Sequence, residues 1–156
     1  MADQVSLSLN SLFDRDFYLQ AYPGELISGI DPLQPKQGVD FELVRGISEY
    51  LPWPDGSFST VISATSLDHC LSLRRSLEEM IRVLCPNGTL LLWIGSKPGA
   101  PEYNPDDSDF IPADQFHLFH FDEQWFDPLL ERTLEITHRF KFIKAGYSHI
   151  FYCLRT

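Results

Sequence analysis

Residues 44–95 read VRGISEYLPWPDGSFSTVISATSLDHCLSLRRSLEEMIRVLCPNGTLLLWIG, and this stretch decides the fold. Phe58 to Ala64 (FSTVISA) is a β-rich run that predicts a buried central strand. A helix follows over about Leu73–Leu84. Leu73, Leu77, Met80, Ile81 and Leu84 repeat at steps of three and four along one face, and Arg74, Arg75, Glu78, Glu79 and Arg82 are assigned to water. Pro86-Asn87-Gly88 stops it, with Asn or Gly available for a left-handed turn. Thr89 to Ile94 (TLLLWI) is apolar throughout, the pattern of a strand covered on both faces.

Working outward, the same logic gives more strands than helices. Val5–Leu9 alternates apolar and small polar residues, as a strand does. Phe13, Phe17 and Ala21 are four apart, which suits a short helix ended by Tyr22-Pro23-Gly24. Leu26–Ile30 and Phe41–Val44 are short strands, and Pro52, Pro54, Asp55 and Gly56 build a rigid turn. From about residue 96 to 114 the chain is rich in Pro and Asp, too long for a mere connection, and reads as a lid or binding loop. Phe116–Phe121 (FHLFHF) is followed by a helix over about Glu123–Thr133, whose cap is Asp122 or else the pair Asp127-Pro128. Glu135–Ile143 and Tyr147–Leu154 close the chain as a hairpin. Strands alternating with helices argue for an α/β domain over residues 1–156, doubly wound about a mostly parallel sheet, with a C-terminal antiparallel hairpin.

Composition narrows the function. The 156 residues carry a formal charge of -10, from 12 Lys+Arg against 22 Asp+Glu. Phosphate backbones and anionic lipid surfaces repel such a chain, so the expected partner is a small molecule or another protein, with no nucleic acid and no membrane. No apolar run approaches the ~20 residues that span a bilayer. The start, MADQVSLSL, lacks the basic and apolar regions of a signal peptide. Cys70, Cys85 and Cys153 are odd in number and widely spaced, as in a cytoplasmic protein with reduced thiols.

Four phrases stand in order: Gly29-Ile30-Asp31-Pro32-Leu33, Leu51-Pro52-Trp53-Pro54-Asp55-Gly56-Ser57-Phe58-Ser59, Leu67-Asp68-His69 and Arg82-Val83-Leu84-Cys85-Pro86-Asn87-Gly88. In this the chain resembles the class I S-adenosylmethionine-dependent methyltransferases, type 11-like subgroup. The resemblance implies a Rossmann-like methyltransferase fold, S-adenosylmethionine as cofactor and a small-molecule methyl acceptor. It implies that Asp31 accepts hydrogen bonds from the cofactor's ribose, with Leu33 beside it on the cofactor side; the alternative is that Asp31 serves only its own turn. It places Ile47, Ser48 and Glu49 in the adenine-contacting loop. Ile47 stands where the family often has Asp and can only pack on the ring, while Glu49 is either adjacent to the ring or simply solvated. Thr65, Leu67, Asp68 and His69 lie at the mouth where the acceptor approaches.

Two readings stand at Asp68-His69. In one, His69 takes a proton from an acceptor hydroxyl and Asp68 orients it. In the other, which the residues favour, Asp68 caps the following helix and His69 sits in its first turn. Methyl transfer from a sulfonium needs mainly in-line positioning, so no base is obligatory. His117 is a candidate acceptor contact. His117-x-x-His120 has metal-ligand spacing on a helix, but the flanking phenylalanines read as an extended segment, so no metal is expected there.

The family's glycine-rich loop has no counterpart. The matching distance before Asp31 falls on Ser6–Ser11, which holds no glycine, and Ser59 replaces a family acid. The competing expectation is therefore a non-catalytic methyltransferase-fold module, degenerate or shortened at its N-terminus. It would act as a partner or regulatory subunit, with a homodimer or partner chain covering the N-terminal strand edge.

Overall fold

The computed structural model describes residues 28–33, 41–144 and 147–156. The strand at Val5–Leu9, the helix at Phe13–Ala21 and the glycine-poor loop at Ser6–Ser11 lie outside the described residues. The described elements run β1 (Ser28–Asp31), β2 (Glu42–Arg45), β3 (Phe58–Ala64), a 3-10 turn (Leu67–His69), α1 (Leu73–Val83), β4 (Leu84–Ser96), α2 (Glu123–Leu130), β5 (Glu135–Lys144) and β6 (Tyr147–Arg155). β1 and β2 pair in parallel as a two-stranded sheet. The other four strands form a sheet in the order β3-β4-β6-β5. In it β3 and β4 are parallel, whereas β6 runs antiparallel to both β4 and β5. The α/β class, the parallel crossover through α1 and the antiparallel terminal hairpin are as the sequence predicts.

The core lies on one face of this sheet. Leu90, Leu92 and Ile94 of β4 stand opposite Leu154, Tyr152 and Ile150 of β6, and all six are buried. α1 lays Leu73, Leu77 and Met80 into the same cluster, and α2 adds Phe126 and Leu130. The intervening residues of β4 point to the other face, where Trp93 stacks on Phe151 and Phe151 on Phe142. Side-chain alternation therefore splits the apolar run of β4 between a dry face and an aromatic one, partly exposed among the described residues.

Two expectations change. β3 is an edge strand among the described residues, and Ser59, Thr60 and Ile62 are exposed rather than centrally buried. Its apolar run reads as a core strand, yet among the described residues only β4 pairs with it. Glu79 faces the interior instead of water, at 3% exposure. Its Oε1 and Oε2 accept from Arg82 Nε and Nη2 at 2.8 Å each, and Oε2 also accepts from Leu51 N–H at 3.0 Å. Arg82 donates onward to the carbonyls of Leu51 and Trp53 and to Asp55 Oδ1. One guanidinium thus ties the Leu51–Asp55 turn to the last turn of α1, where its charge also suits the helix dipole.

The turn residues behave as their chemistry requires. Asn87 takes φ 62°, the left-handed conformation that Asn tolerates. Asp122 is the cap of α2, its carboxylate accepting from Gln124 N–H at 3.0 Å, and Pro128 lies inside the helix. The second oxygen of Asp122 takes Gly99 N–H at 2.6 Å, which fastens the start of the long acidic loop. Cys70, Cys85 and Cys153 are free thiols, and burial pushes the Cys70 thiol up to about 11. Among the described residues no helix is long and apolar enough to cross a membrane.

Candidate functional site

Asp31 stands at the carboxyl end of parallel strand β1 and Thr65 follows that of parallel strand β3, the kind of position where ligands sit in open α/β sheets. Asp31 ends β1 and is exposed. Its Oδ1 accepts from Leu33 N–H at 2.7 Å, so the turn role is realised and the carboxylate is held in a fixed direction. Leu33 itself is 73% exposed. Gly46 follows β2 and donates its N–H to Asp31 O; a Cβ there would come within 2.8 Å of Ile30 Cδ1, the tip of a side chain that would have to shift.

Ile47, Glu49 and Tyr50 line a groove with Leu71, Ser72 and Arg75 from the approach to α1. Ile47 and Tyr50 are exposed there, an apolar wall suited to a planar ring. Glu49, at the floor of this groove, is not solvated. It is 5% exposed, and its Oε1 accepts from Leu71 N–H at 2.7 Å and Ser72 N–H at 3.2 Å. Ser48 Oγ bonds Ser76 Oγ at 2.8 Å, and Ser72 Oγ takes Arg75 N–H. The adenine-loop candidates Ser48 and Glu49 are therefore tied to the N-terminus of α1, where a negative charge is favourable. Glu49→Ala is expected to cost about 1–3 kcal/mol, since two part-buried backbone donors lose a charged acceptor. Chemical denaturation at neutral pH reads this directly.

Ser72 and Glu49, not Asp68, cap α1, so the capping reading of Asp68 is corrected. Asp68 and His69 sit instead in the 3-10 turn after Thr65, a residue with φ 49° whose N–H donates to Trp93 O. The backbone carbonyl of Asp68 accepts from Leu118 N–H at 3.0 Å. That bond brings the Phe116–Phe121 segment across the strand ends and sets His117 beside Asp68. His117 Nε2 is 3.8 Å from Asp68 Oδ2, and His69 Nε2 is 3.7 Å from Asp68 Oδ1. The His69 and His117 rings stack at 5.1 Å. Three residues singled out in the sequence for acceptor-side chemistry thus converge from two separate segments. Asp68 is 8% exposed, and its Oδ1 is buried with no hydrogen-bond partner.

The sequence reading missed Asp114. Its carboxylate accepts from the N–H groups of Phe116 and His117, and both oxygens lie within 3.0 Å of His117 Nδ1. The hydrogen bond to His117, then the backbone donor of Phe116, hold the Asp114 carboxyl down at about 2. An Asp three residues before a His, bending back on its own backbone, was the available signal. His120 lies 3.4 Å from the same carboxylate. Phe119 and Phe121 are buried as the sequence predicts, whereas Phe116, the other flanking phenylalanine, is 69% exposed.

Comparison with known proteins agrees with this fold. Residues 24–92 match the family model described as a methyltransferase domain. The ubiquinone/menaquinone biosynthesis C-methyltransferase of Hahella chejuensis is 42% identical over 64 residues, which is 41% of this chain and 26% of that enzyme. The match therefore spans about a quarter of that relative's length. Among solved structures, the 1,6-didemethyltoxoflavin-N1-methyltransferase of Burkholderia thailandensis superposes with TM-score 0.67 at 15% identity, covering 91% of this chain and 66% of that one. It was determined with its substrate and S-adenosylhomocysteine bound. A methyltransferase from Methanosarcina mazei gives TM-score 0.62 at 18% identity over 83% of this chain and 81% of its own. The resemblance carried by the four phrases holds, and the fold is the Rossmann-like fold of S-adenosylmethionine-dependent methyltransferases.

Proposed function

We propose that this chain carries a methyltransferase activity that uses S-adenosylmethionine on a small-molecule acceptor. The observation that carries the reading is the placement of Asp31 and of Thr65–His69 at the carboxyl ends of parallel strands β1 and β3. The residues present fit the adenosine half of the cofactor. Asp31 is exposed and oriented by Leu33 N–H, with its second oxygen directed to a ribose hydroxyl. Ile47 and Tyr50 supply an apolar wall for the adenine. When bound, the cofactor supplies an electrophilic methyl group on a sulfonium. The chain's own contribution is to position an acceptor at Asp68, His69 and His117, where His69, half exposed, receives a proton from an acceptor hydroxyl.

Calorimetric titration with S-adenosylmethionine and S-adenosylhomocysteine tests this, and no heat of binding up to millimolar concentration sinks it. Asp31→Ala is expected to weaken binding about 10–100-fold, from hydrogen bonds to a charged group worth about 1.5–3 kcal/mol. An Asp31→Ala titration that overlays the wild type would remove Asp31 from the site.

A second reading is a non-catalytic module of the same fold that serves a partner chain or a second copy. Glu49 favours it, because its carboxylate is committed to α1 while Ile47 offers no acceptor for the adenine amine. A stable dimer in sedimentation, together with silent cofactor titrations, is the result this reading expects.

A further inference from the structure

We propose that Asp68, His69 and His117 form a binding site for a divalent first-row transition metal ion, zinc being the best fit. One ligand atom from each lies within 4.8 Å of the others. The proposal does not rest on methyl transfer, since the ion needs no cofactor in order to bind.

The spacing fits ligands of one ion better than hydrogen-bonded partners. Asp68 to His69 is 3.7 Å and Asp68 to His117 is 3.8 Å, beyond hydrogen-bond range. Ligands held at ~2.0–2.2 Å in tetrahedral geometry stand roughly 3.3–3.6 Å apart, so modest contraction closes the site. Asp68 Oδ1 is the second, independent sign. A buried carboxylate oxygen with no partner is costly, and a cation satisfies it.

The surroundings complete the arrangement. Asp114 accepts from His117 Nδ1, which leaves the Nε2 lone pair facing Asp68. A carboxylate on the far nitrogen of a histidine ligand is the usual outer partner that fixes tautomer and ring direction. Leu118 N–H on Asp68 O pins the two segments that carry the ligands. The His69 and His117 rings stand at 29° to one another, and His69 is half exposed, so its ring has room to reorient towards an ion. Two imidazoles and one carboxylate suit zinc and its neighbours rather than magnesium or calcium, which take oxygen ligands. With the ion in place His69 is a ligand and no longer a base. The exposed side of the site keeps open positions for an oxygen of the acceptor.

The test is titration of the metal-free full chain with zinc chloride by calorimetry and with cobalt chloride by visible absorption. The expected result is saturation at a single equivalent, with the intense cobalt bands of a low-coordinate site. His69→Ala and Asp68→Asn are expected to abolish saturable binding, and His69 is exposed enough for its variant to fold normally. Asp114→Asn should weaken binding about 10–100-fold without abolishing it. His120→Ala should leave it unchanged. The absence of saturable binding overturns the proposal. So does an ion lost with His120→Ala but kept in His69→Ala, which would put it on Asp114, His117 and His120.

Discussion

Arg82→Met is expected to destabilise the fold by about 3 kcal/mol, the low end for breaking a buried ion pair because the guanidinium is partly exposed. The melting temperature should fall by roughly 6–12 °C for a chain of this size. The reason is what the substitution leaves behind. Glu79 stays buried, with its Arg75 contact at 3.2 Å as its remaining salt bridge, and the carbonyls of Leu51 and Trp53 lose a charged donor. The effect also carries a pH signature. The Arg82 hydrogen bond, the largest cause, holds the Glu79 carboxyl down at about 2 against an ordinary value of 4.5. A folded-state value below the unfolded one contributes stability that is complete above about 4.5 and is lost as pH falls towards 2. Urea denaturation at pH 7 and at pH 3 should therefore show a wide gap between wild type and variant that narrows in acid. A difference below about 1 kcal/mol at pH 7 would mean that this pair behaves as an ordinary surface bridge.

The same residues show how much could be read from the sequence. α1 and the terminal hairpin are legible within a residue or two, because their apolar spacing matches one period. β4 is not, since it begins at Leu84 and takes in the Pro86-Asn87-Gly88 turn ahead of the Thr89 start that the sequence predicts. Nor is Glu79. Helical periodicity puts it on the polar face, and only the Leu51–Asp55 turn folding over α1 buries it. β3 shows the reverse error, since its composition says core while its exposure depends on which strands flank it. At the site, the sequence selected Asp68, His69 and His117, and the structure brings them together. It could not supply the Leu118–Asp68 backbone bond that joins segments far apart in the chain. The side chain of Glu49 was not legible either, because a loop residue's side chain points where tertiary contacts send it, here to the backbone of Leu71 and Ser72.

Phe119→Ala is expected to cost about 3–5 kcal/mol, as for a buried phenylalanine truncated in a packed site. Phe119 is 4% exposed and stacks on Tyr103 at 4.2 Å, while Phe121 meets it edge-on at 5.1 Å. Tyr103 OH donates to Leu71 O, so this aromatic stack fastens the middle of the acidic loop to the approach of α1. Beyond Phe119 the chain is tied again by Lys97 N–H to Phe121 O. Removing the ring leaves a cavity between these ties, and the loop is the element that yields, since most of it is exposed and irregular. Thermal denaturation should show the loss, and limited proteolysis should show faster cleavage within 97–118. Ile111→Ala, at a side chain 82% exposed in the same loop, should change stability by less than about 0.5 kcal/mol. If both variants behave alike, the loop is not anchored through Phe119. If they differ as expected, Phe119 is what holds His117 against Asp68. The variant should then also lose the loop's geometry at the strand ends, and with it any ligand or ion bound between the two segments.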